Sequence, residues 1–323
     1  MSLIIGNDKI KSIYVGDRKI KRAYFGRQDV YSADSIPKLG EFKVSALPSF
    51  EEWRGIAHGG GVFVAVASGT QNAAYSTDAN NWKSIQMPFS ADWYSVAYGD
   101  GIFVAIAYDS DKCAYSTDGE HWAEGSMPVS SKWTSVIYGN DRFMAVSYNS
   151  KNAAYSFDGK VWIASSLPDS IMYYDVTFGG GVFVAIPYNE KSVACSSNGG
   201  QSWYRTQLPI STYWNKATYG NGRFLTVSSS SGRVAWTDTI SVGTTWEATT
   251  PLSSDQWQPI SYGDGLFVTM AYNSDKVAYS KDGQFWKYTD TPLSGRWKDL
   301  TYGNGKFVAI SYNSDIASCA ELI

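Results

Sequence analysis

The chain has 323 residues, is 15% aromatic and contains 30 glycines, and its formal net charge is −3. Residues 32–323 carry 20 basic and 27 acidic residues, a balance that argues against nucleic acid, whose phosphates attract the opposite sign. Residues 1–19 contain no apolar run long enough for a signal peptide, and no later segment reaches the length of a membrane span. Because aromatic residues and glycines are frequent and no apolar period near 3.6 occurs, we expect an all-β protein. Because no segment is long enough to span a membrane, we also expect no insertion into one.

The first 32 residues form a short basic repeat. Three copies, which begin at Gly6, Gly16 and Gly26, each read as a short strand after a glycine turn. Residues 1–31 hold seven basic and three acidic residues. A unit of this size buries too little apolar surface to fold alone. We therefore expect it to form a homo-oligomer, with a trimer favoured, or to dock on a partner, and we predict a linker at residues 33–40.

A second repeat, with a period of about 40 residues, fills the rest of the chain. Its markers are Pro48, Pro88, Pro128, Pro168, Pro209, Pro251 and Pro292, and Phe63, Phe103, Phe143, Phe183, Phe224, Phe267 and Phe307. In the second copy, residues 93–98 and 102–107 read as strands around a Gly-Asp-Gly turn. Two further strands follow, at residues 113–116 and from Trp122 onward. Four short strands in each repeat of this length indicate a blade of a β-propeller.

The markers predict seven blades and also the way in which the ring closes. Each copy but the last has an outer-strand tryptophan, namely Trp82, Trp122, Trp162, Trp203, Trp246 and Trp286. Phe42 precedes Pro48 by the same spacing as Trp82 precedes Pro88. We therefore predict that residues 41–47 supply the outer strand of the last blade. Such a strand exchange removes the open edge of the sheet, and it defines a seven-bladed β-propeller at residues 41–323.

The turn before each outer strand has the form Ser-x-Asp-Gly-x-x-Trp in several copies, as at residues 116–122, 156–162 and 280–286. This motif resembles the Asp-box of sialidase-like and other β-propellers, although most copies are one residue shorter than the usual Ser-x-Asp-x-Gly-x-x-Trp. The Asp carboxylate is expected to accept backbone N–H bonds across the turn while the Trp packs between sheets. We therefore interpret the motif as structural.

The sequence argues against the sialidase-like active site that the resemblance to an Asp-box suggests. A sialidase resemblance implies three arginines, a Tyr nucleophile paired with Glu, and an Asp acid, with one Arg in a Phe-Arg-Ile-Pro stretch that this sequence lacks. Carboxylates occur in almost every turn, so no pair stands out as the two groups that a glycosidase needs. The three cysteines and two histidines lack the spacing of metal ligands. We predict no catalytic residue, metal or cofactor, and we keep a glycan-cleaving, glycoside hydrolase-like enzyme as the alternative.

A ligand-binding surface is predicted on the face where the loops between the second and third strands emerge. Aromatic rings stack on sugar rings, and Asn and Asp side chains bond hydroxyl groups. The candidate ligand-binding residues are Trp93, Tyr108, Asp109, Asp111, Trp133, Tyr148, Asn149, Tyr188, Asn189, Trp257, Tyr272, Asn273, Asp275, Trp297, Tyr312 and Asn313. The same pattern also has a structural interpretation, in which each Trp packs between blades and the Asn-Ser-Asp loops are ordinary turns.

The N-terminal segment carries a second resemblance. Residues 10–26 read Ile-Lys-x-Ile-Tyr-Val-Gly-Asp-x-Lys-Ile-Lys-x-x-Tyr-x-Gly, which is similar to the short N-terminal repeat of tail and baseplate-associated proteins of bacteriophages and prophages. The resemblance implies that residues 1–32 attach to other tail or baseplate proteins and that the propeller faces the host. It also implies a location in the virion tail, or in the bacterial cytoplasm before assembly. We therefore predict a phage or prophage tail-associated receptor-binding protein whose propeller recognises a host cell-surface glycan.

Overall fold

The structure, a computed structural model, describes residues 38–323 in full and, before them, the backbone of four short strands. These strands are β1 (Ile13–Val15), β2 (Arg18–Ile20), β3 (Arg22–Phe25) and β4 (Gln28–Ser32). They pair antiparallel, β1 with β2 and β3 with β4. Residues 1–38 together with Ile323 form one compact unit, and residues 39–322 form another. The rest of the predicted N-terminal repeat and residues 33–37 of the predicted linker lie outside the described residues.

Every regular element in residues 39–322 is a β-strand, which confirms the predicted all-β class. In chain order the strands are β5 (Lys43–Gly59), β6 (Val62–Ser68), β7 (Thr70–Ser76), β8 (Lys83–Ala91), β9 (Trp93–Gly99), β10 (Ile102–Ala107), β11 (Ser110–Ser116), β12 (Ala123–Ser131), β13 (Trp133–Gly139), β14 (Arg142–Ser156), β15 (Ile163–Gly179), β16 (Val182–Pro187), β17 (Ser192–Ser196), β18 (Tyr204–Gln207), β19 (Trp214–Gly220), β20 (Arg223–Ser228), β21 (Val234–Thr237), β22 (Glu247–Thr249), β23 (Trp257–Gly263), β24 (Leu266–Ser280), β25 (Trp286–Gly303) and β26 (Lys306–Glu321). Within the described part of the chain, no helix is long and apolar enough to cross a membrane.

The strands are arranged as blades of a β-propeller. Strands β9, β10, β11 and β12 pair in that order to form one four-stranded blade. Some long strands serve two neighbouring blades: β15 pairs with β14 through its first half, as an outer strand, and with β16 through its second half, as an inner strand. Seven inner strands contact one another in order, and the last, in β25, contacts the first, in β5. The inner strands therefore surround a central channel.

The ring closes by the predicted strand exchange. The first residues of β5 form the outer strand of the blade that also contains β26, and Lys43 pairs there with Cys319. Phe42, directly before β5, is buried in one cluster with Val268 and Phe307. The outer-strand tryptophans occupy equivalent clusters, each with the phenylalanine of its own blade. Phe42 is thus the counterpart of those tryptophans, as the sequence spacing predicts.

The end of the predicted linker belongs to this last blade. The N–H of Gly40 donates to the carbonyl oxygen of Glu321 at 2.8 Å, and Leu39 forms a bridge with Leu322. Leu39 is buried against the blade. Spacing alone did not reveal these contacts, because they lie beyond the repeated part of the sequence.

A two-residue turn with a left-handed backbone joins each inner strand to the second strand. Between β9 and β10, Gly99 pairs with Ile102, and φ is 48° at Asp100 and 78° at Gly101. Gly, Asn and Asp adopt such angles most readily, which explains the repeated Gly-Asp/Asn-Gly tripeptide. Gly99 is needed for a different reason, since a Cβ at this position would overlap the ring of Tyr138 in the next blade.

The Ser-x-Asp turns contain the hydrogen bonds that turn chemistry predicts. Asp118 Oδ1 accepts the N–H of His121 at 2.8 Å and that of Glu120 at 2.9 Å. Trp122 Nε1 donates to the carbonyl oxygen of Gly119 at 3.1 Å. Hydrogen bonds to the carboxylate favour its charged form, and the bond from the His121 N–H has the largest effect. The pKa of Asp118 therefore lies well below its usual range. The carboxylate is engaged within its own turn, which supports the structural interpretation.

Candidate functional site: the mouth of the central channel

The inner strands alternate between residues buried between blades and residues that line the channel. In β9, Trp93 is fully buried, whereas the next residue, Tyr94, borders a cavity. The equivalent residues of the seven inner strands form what we call the deep layer: Arg54, Tyr94, Thr134, Tyr174, Asn215, Gln258 and Lys298. All of them line one cavity of 610 Å³, here named the mouth cavity. Its volume falls in the range of about 300–1,000 Å³ that small-molecule sites have.

A ring of tyrosines, at the position five residues after the marker phenylalanine of each blade, adds to the deep layer. This tyrosine ring consists of Tyr108, Tyr148, Tyr188, Tyr272 and Tyr312, with Ser68 and Ser229 at the same position in the other two blades. Tyr108, Tyr148 and Tyr188 line the mouth cavity together with both serines. All five tyrosines are half-buried. The structure therefore brings three of the predicted tyrosines to one cavity.

Tyrosines of the two layers pack against each other on one side of the mouth cavity. The ring of Tyr94 stacks on that of Tyr108 with centroids 5.4 Å apart, and Tyr174 packs on Tyr188 at 5.3 Å. Tyr213 contacts the other side of this group, with its ring centroid 5.1 Å from that of Tyr188. We call these five tyrosines the aromatic wall. Such surfaces combine an apolar face with hydroxyl groups that can bond a polar ligand.

Two cations of the deep layer contact the tyrosines. The guanidinium of Arg54 lies 5.2 Å from the ring centroid of Tyr94 and 4.6 Å from that of Tyr312. Lys298 Nζ donates to Tyr174 Oη at 3.1 Å, and Tyr94 Oη donates to the same oxygen at 3.2 Å. Arg54 thus contacts tyrosines of its two neighbouring blades. Tyr174 and Lys298 lie on inner strands that are not adjacent, so their side chains meet across the channel.

Burial changes the proton affinity of these groups. It raises the pKa of Tyr94 and of Tyr174 and lowers the pKa of Lys298. The positive charge of Arg54 lowers the pKa of Lys298 further. The two hydroxyls therefore remain protonated at neutral pH and serve as hydrogen-bonding groups.

An ion-pair network crosses the channel beneath the deep layer. Lys216 Nζ lies 3.5 Å from Asp175 Oδ1 and 3.4 Å from Asp299 Oδ1. Burial raises the pKa of Asp175. Burial alone would lower the pKa of Lys216, but Asp299 and Asp175 together raise it above its usual range. Asp175 also accepts bonds from Ser135 Oγ and the N–H of Ala217, both at 2.8 Å. Because these groups satisfy one another, we interpret the network as the structural floor of the site.

The tryptophans among the predicted ligand-binding residues are wrong as site residues. Trp93, Trp133, Trp257 and Trp297 are fully buried, so they present no face to a ligand. Trp133 Nε1 donates to the carbonyl oxygen of Ser110 at 3.1 Å, at the start of β11 in the preceding blade. Trp297 Nε1 bonds Ser274 in the same way at 2.9 Å. For these residues the structural interpretation holds, because they pack between blades.

The Asn and Asp residues of the predicted site are exposed and lie outside the lining of the mouth cavity. The backbone conformation explains why four of these positions hold Asn or Asp. There φ lies between 51° and 59°, at Asp109, Asn149, Asn273 and Asn313. Asn and Asp tolerate this left-handed region better than other residues with a Cβ. The first blade has a glycine at the same position. The remaining three are also exposed: Asp111 lies in β11, Asp275 in β24, and Asn189 in the loop between β16 and β17.

Sequence reasoning missed the deep layer, although a signal for it was present. The residue after the inner-strand aromatic is Arg, Tyr, Thr, Tyr, Asn, Gln or Lys in successive repeats. The aromatic residue before it is Trp in every blade but one. A variable position next to a repeated one indicates a side chain that the fold itself does not fix.

Comparisons with known proteins show the fold. No protein-family model matches the chain, and no curated protein matches its sequence. Virginiamycin B lyase from Staphylococcus aureus is 12% identical with a TM-score of 0.77, and the match covers 88% of this chain and 100% of the lyase. YCF48 bound to D1 peptide is 13% identical with a TM-score of 0.69, covering 90% of this chain and 96% of that one. A β-propeller domain from Myceliophteria thermophila is 8% identical with a TM-score of 0.67, covering 89% and 100%.

These likenesses establish the β-propeller class and nothing finer. The similar structures include an enzyme and a protein bound to a peptide, so the fold by itself does not select an activity. Function has to be argued from the site.

Proposed function

We propose that this protein is a phage or prophage tail-associated receptor-binding protein whose propeller recognises a host cell-surface glycan at the mouth of its channel. The observation that carries the proposal is the aromatic wall beside a cavity of 610 Å³. Tyrosine rings stack on the apolar face of a sugar, and their hydroxyl groups bond its polar edge.

The deep layer adds groups suited to sugar hydroxyls. Asn215 and Gln258 line the cavity, and their amide groups can both donate and accept hydrogen bonds. Neutral groups of this kind fix the orientation of a polyhydroxylated ligand without the desolvation penalty of a buried charge.

The attachment half of the proposal rests on the N-terminal repeat and its resemblance to tail and baseplate-associated proteins. An oligomer formed through residues 1–32 presents several mouth cavities to one cell. Linked sites bind a multivalent surface far more tightly than one site binds one sugar. Weak recognition by a single propeller is therefore compatible with firm adsorption.

A glycan-array experiment on the full-length chain tests the binding half. The double variant Tyr108→Ala/Tyr188→Ala should weaken binding about tenfold or more, because it removes two rings of the aromatic wall. Tyr288→Ala is the matched control, since Tyr288 is an exposed tyrosine on β25. Circular dichroism should be unchanged for both variants. Normal binding by a folded double variant would place the ligand elsewhere and reject the proposal.

Deletion of residues 1–31 tests the attachment half. The shortened chain should remain folded, because residues 39–322 form a compact unit, and it should become monomeric. Light scattering on both chains measures the change. A full-length chain that is already monomeric and binds no tail or baseplate protein would remove the physical support for an attachment segment.

A glycan-cleaving enzyme is the second candidate. It is favoured by the network of Tyr94, Tyr174 and Lys298, which places titratable groups inside the mouth cavity. Incubation of each bound glycan with the protein, followed by measurement of new chain ends, decides between the two candidates. Cleavage that is lost in Tyr174→Phe would establish the enzyme, whereas binding without new chain ends supports recognition alone.

A further inference from the structure

The deep layer has an uneven distribution of charge. Arg54 and Lys298 are its two cations, and the other five residues are neutral. The two cations lie on adjacent inner strands, because β25 contacts β5. The aromatic wall lies on other blades. Tyr94, on the inner strand next to that of Arg54, contacts the guanidinium, and Tyr174 reaches across the channel to Lys298. The mouth cavity thus has a cationic side and an aromatic side.

Neither cation is fully paired within the described residues. Lys298 forms no ion pair there and bonds the neutral hydroxyl of Tyr174 at 3.1 Å. Arg54 Nη2 lies 3.4 Å from Glu52 Oε2, at the edge of hydrogen-bond distance, and the Glu52 side chain is 46% exposed. Arg54 Nε is buried and has no hydrogen-bond partner among the described residues. A buried donor without a partner carries a desolvation penalty that a ligand acceptor would remove.

We propose that the cationic side of the mouth cavity binds an anionic group of the glycan, a carboxylate or a phosphate, between Arg54 and Lys298. The sugar ring that carries this group stacks on the aromatic wall. The inference rests on the proposed function and narrows its ligand to an acidic glycan. A guanidinium presents a planar set of donors that matches an oxyanion, and an adjacent ammonium adds a point charge.

Two carboxylates also line the cavity, and they favour the same placement. Glu52 is paired with Arg54, and Asp92 Oδ1 accepts a bond from Ser68 Oγ at 3.0 Å. Each directly precedes an inner-strand tryptophan, and the deep-layer residue of that strand directly follows the same tryptophan. An anion at that level would be repelled, whereas the deep layer offers two positive charges. Charge therefore directs the anionic group inward.

An array of matched glycan pairs, probed with the full-length chain, tests the inference. Each pair presents one oligosaccharide in an acidic and a neutral form: a uronic-acid oligomer with its carboxyl-reduced counterpart, and a phosphorylated oligomer with its unphosphorylated counterpart. We expect binding to the acidic member at least tenfold above the neutral member, and weaker binding at high salt. If only the carboxylate pairs, or only the phosphate pairs, show this preference, the result identifies which oxyanion is bound.

Three variants connect this preference to the cavity. Lys298→Met and Arg54→Gln should each abolish the preference for the acidic member. Lys191→Met is the matched control, because Lys191 is an exposed lysine in the loop between the second and third strands of the fourth blade, and it should keep the preference. If a cavity variant does not fold, the salt dependence of the wild-type preference remains as the test.

The outcomes separate this inference from the proposed function. Equal binding to acidic and neutral members overturns the inference and leaves glycan recognition intact. An acidic preference that persists in folded Lys298→Met and Arg54→Gln also overturns it, because the anion then binds elsewhere. Binding to no glycan at all rejects the proposed function and the inference together.

Discussion

Two adjacent positions of each inner strand have opposite roles. The first is a fully buried aromatic in all seven blades, Trp in six of them and Tyr173 in the other. The second belongs to the deep layer and holds six kinds of side chain in seven blades. At these two positions, the repeated residue packs between blades and the varied residue lines the mouth cavity.

The most damaging change is expected at the first position. Trp257 is fully buried, and its Nε1 donates to the carbonyl oxygen of Ser253 at 2.9 Å. Trp257→Ala should lower the free energy of unfolding by about 3–5 kcal/mol, the usual effect of removing a large buried aromatic. Denaturant unfolding measures the loss. Trp257→Phe keeps a ring but not the N–H bond, so it should cost less, and equal losses for both variants would contradict the account.

Phe42 extends the comparison to the closure of the ring. It is buried at the position that the other blades fill with tryptophan, so Phe42→Ala should cost about 3 kcal/mol. Phe50 is 65% exposed and lies in β5, the strand that follows Phe42. Phe50→Ala is therefore a control that should change the stability little. Thermal unfolding of the two variants side by side checks the prediction. Similar melting temperatures would mean that the exchanged strand contributes nothing to stability.

The sequence predicts the features that arise from local chemistry repeated in every blade. The turn at Asp100 and Gly101 and the closure through Phe42 could be inferred because spacing and turn residues specify them directly. The mouth cavity could not be inferred in this way. Tyr94 contacts Tyr174, which contacts Lys298, and these residues lie 80 and 124 positions apart. Contacts across a channel depend on how the blades are arranged around it, and no local pattern encodes them.

The prediction of tryptophan as a ligand-stacking residue failed for a related reason. An aromatic residue at the start of a strand is compatible with stacking on a sugar and with packing between sheets. Only the burial of Trp93 and its equivalents decides between the two. The five tyrosines are only half-buried, and three of them line the mouth cavity.

The Ser-x-Asp turns should give a smaller loss that depends on pH. Asp118→Ala removes the acceptor for two backbone N–H groups and should cost about 1 kcal/mol at neutral pH, since the side chain is half exposed. The pKa of Asp118 is lower in the folded protein than its value of about 3.9 in an unfolded chain. Its contribution is therefore complete above about pH 4 and is lost as the pH falls toward the folded pKa.

Asp118→Asn is the informative control for this turn. The fourth blade has Asn198 at the equivalent position, and its Oδ1 accepts the N–H of Ser202 at 3.0 Å. The amide variant should therefore keep most of the stability at neutral pH while losing the acid-dependent part. Unfolding measured from neutral to acidic pH compares both variants with the unmodified chain. A wild-type stability that does not fall in acid relative to Asp118→Asn would contradict the assignment.

Residues with a left-handed backbone conformation should show a loss of stability that comes from the backbone. Asn273 has φ of 59°, so Asn273→Ala should cost about 1 kcal/mol, because alanine tolerates this region less well. Asn273→Gly should cost less, since glycine adopts such angles freely. Denaturant unfolding of the two variants is the measurement. If alanine and glycine were equivalent here, the asparagine would have been selected for its side chain and would return to the candidate ligand contacts.

The smallest loss of stability is expected at the deep-layer position of an inner strand. This position directly follows the buried tryptophan, whose replacement should cause the largest loss. Gln258 is partly exposed and lines the mouth cavity beside the buried Trp257. Gln258→Ala should change the free energy of unfolding by no more than about 0.5 kcal/mol, as for most surface substitutions. Glycan binding by the same variant should weaken, because a side chain that can bond a sugar hydroxyl is removed. A destabilisation close to that of Trp257→Ala would show that the deep layer is part of the packing, and the contrast between the two positions would no longer hold.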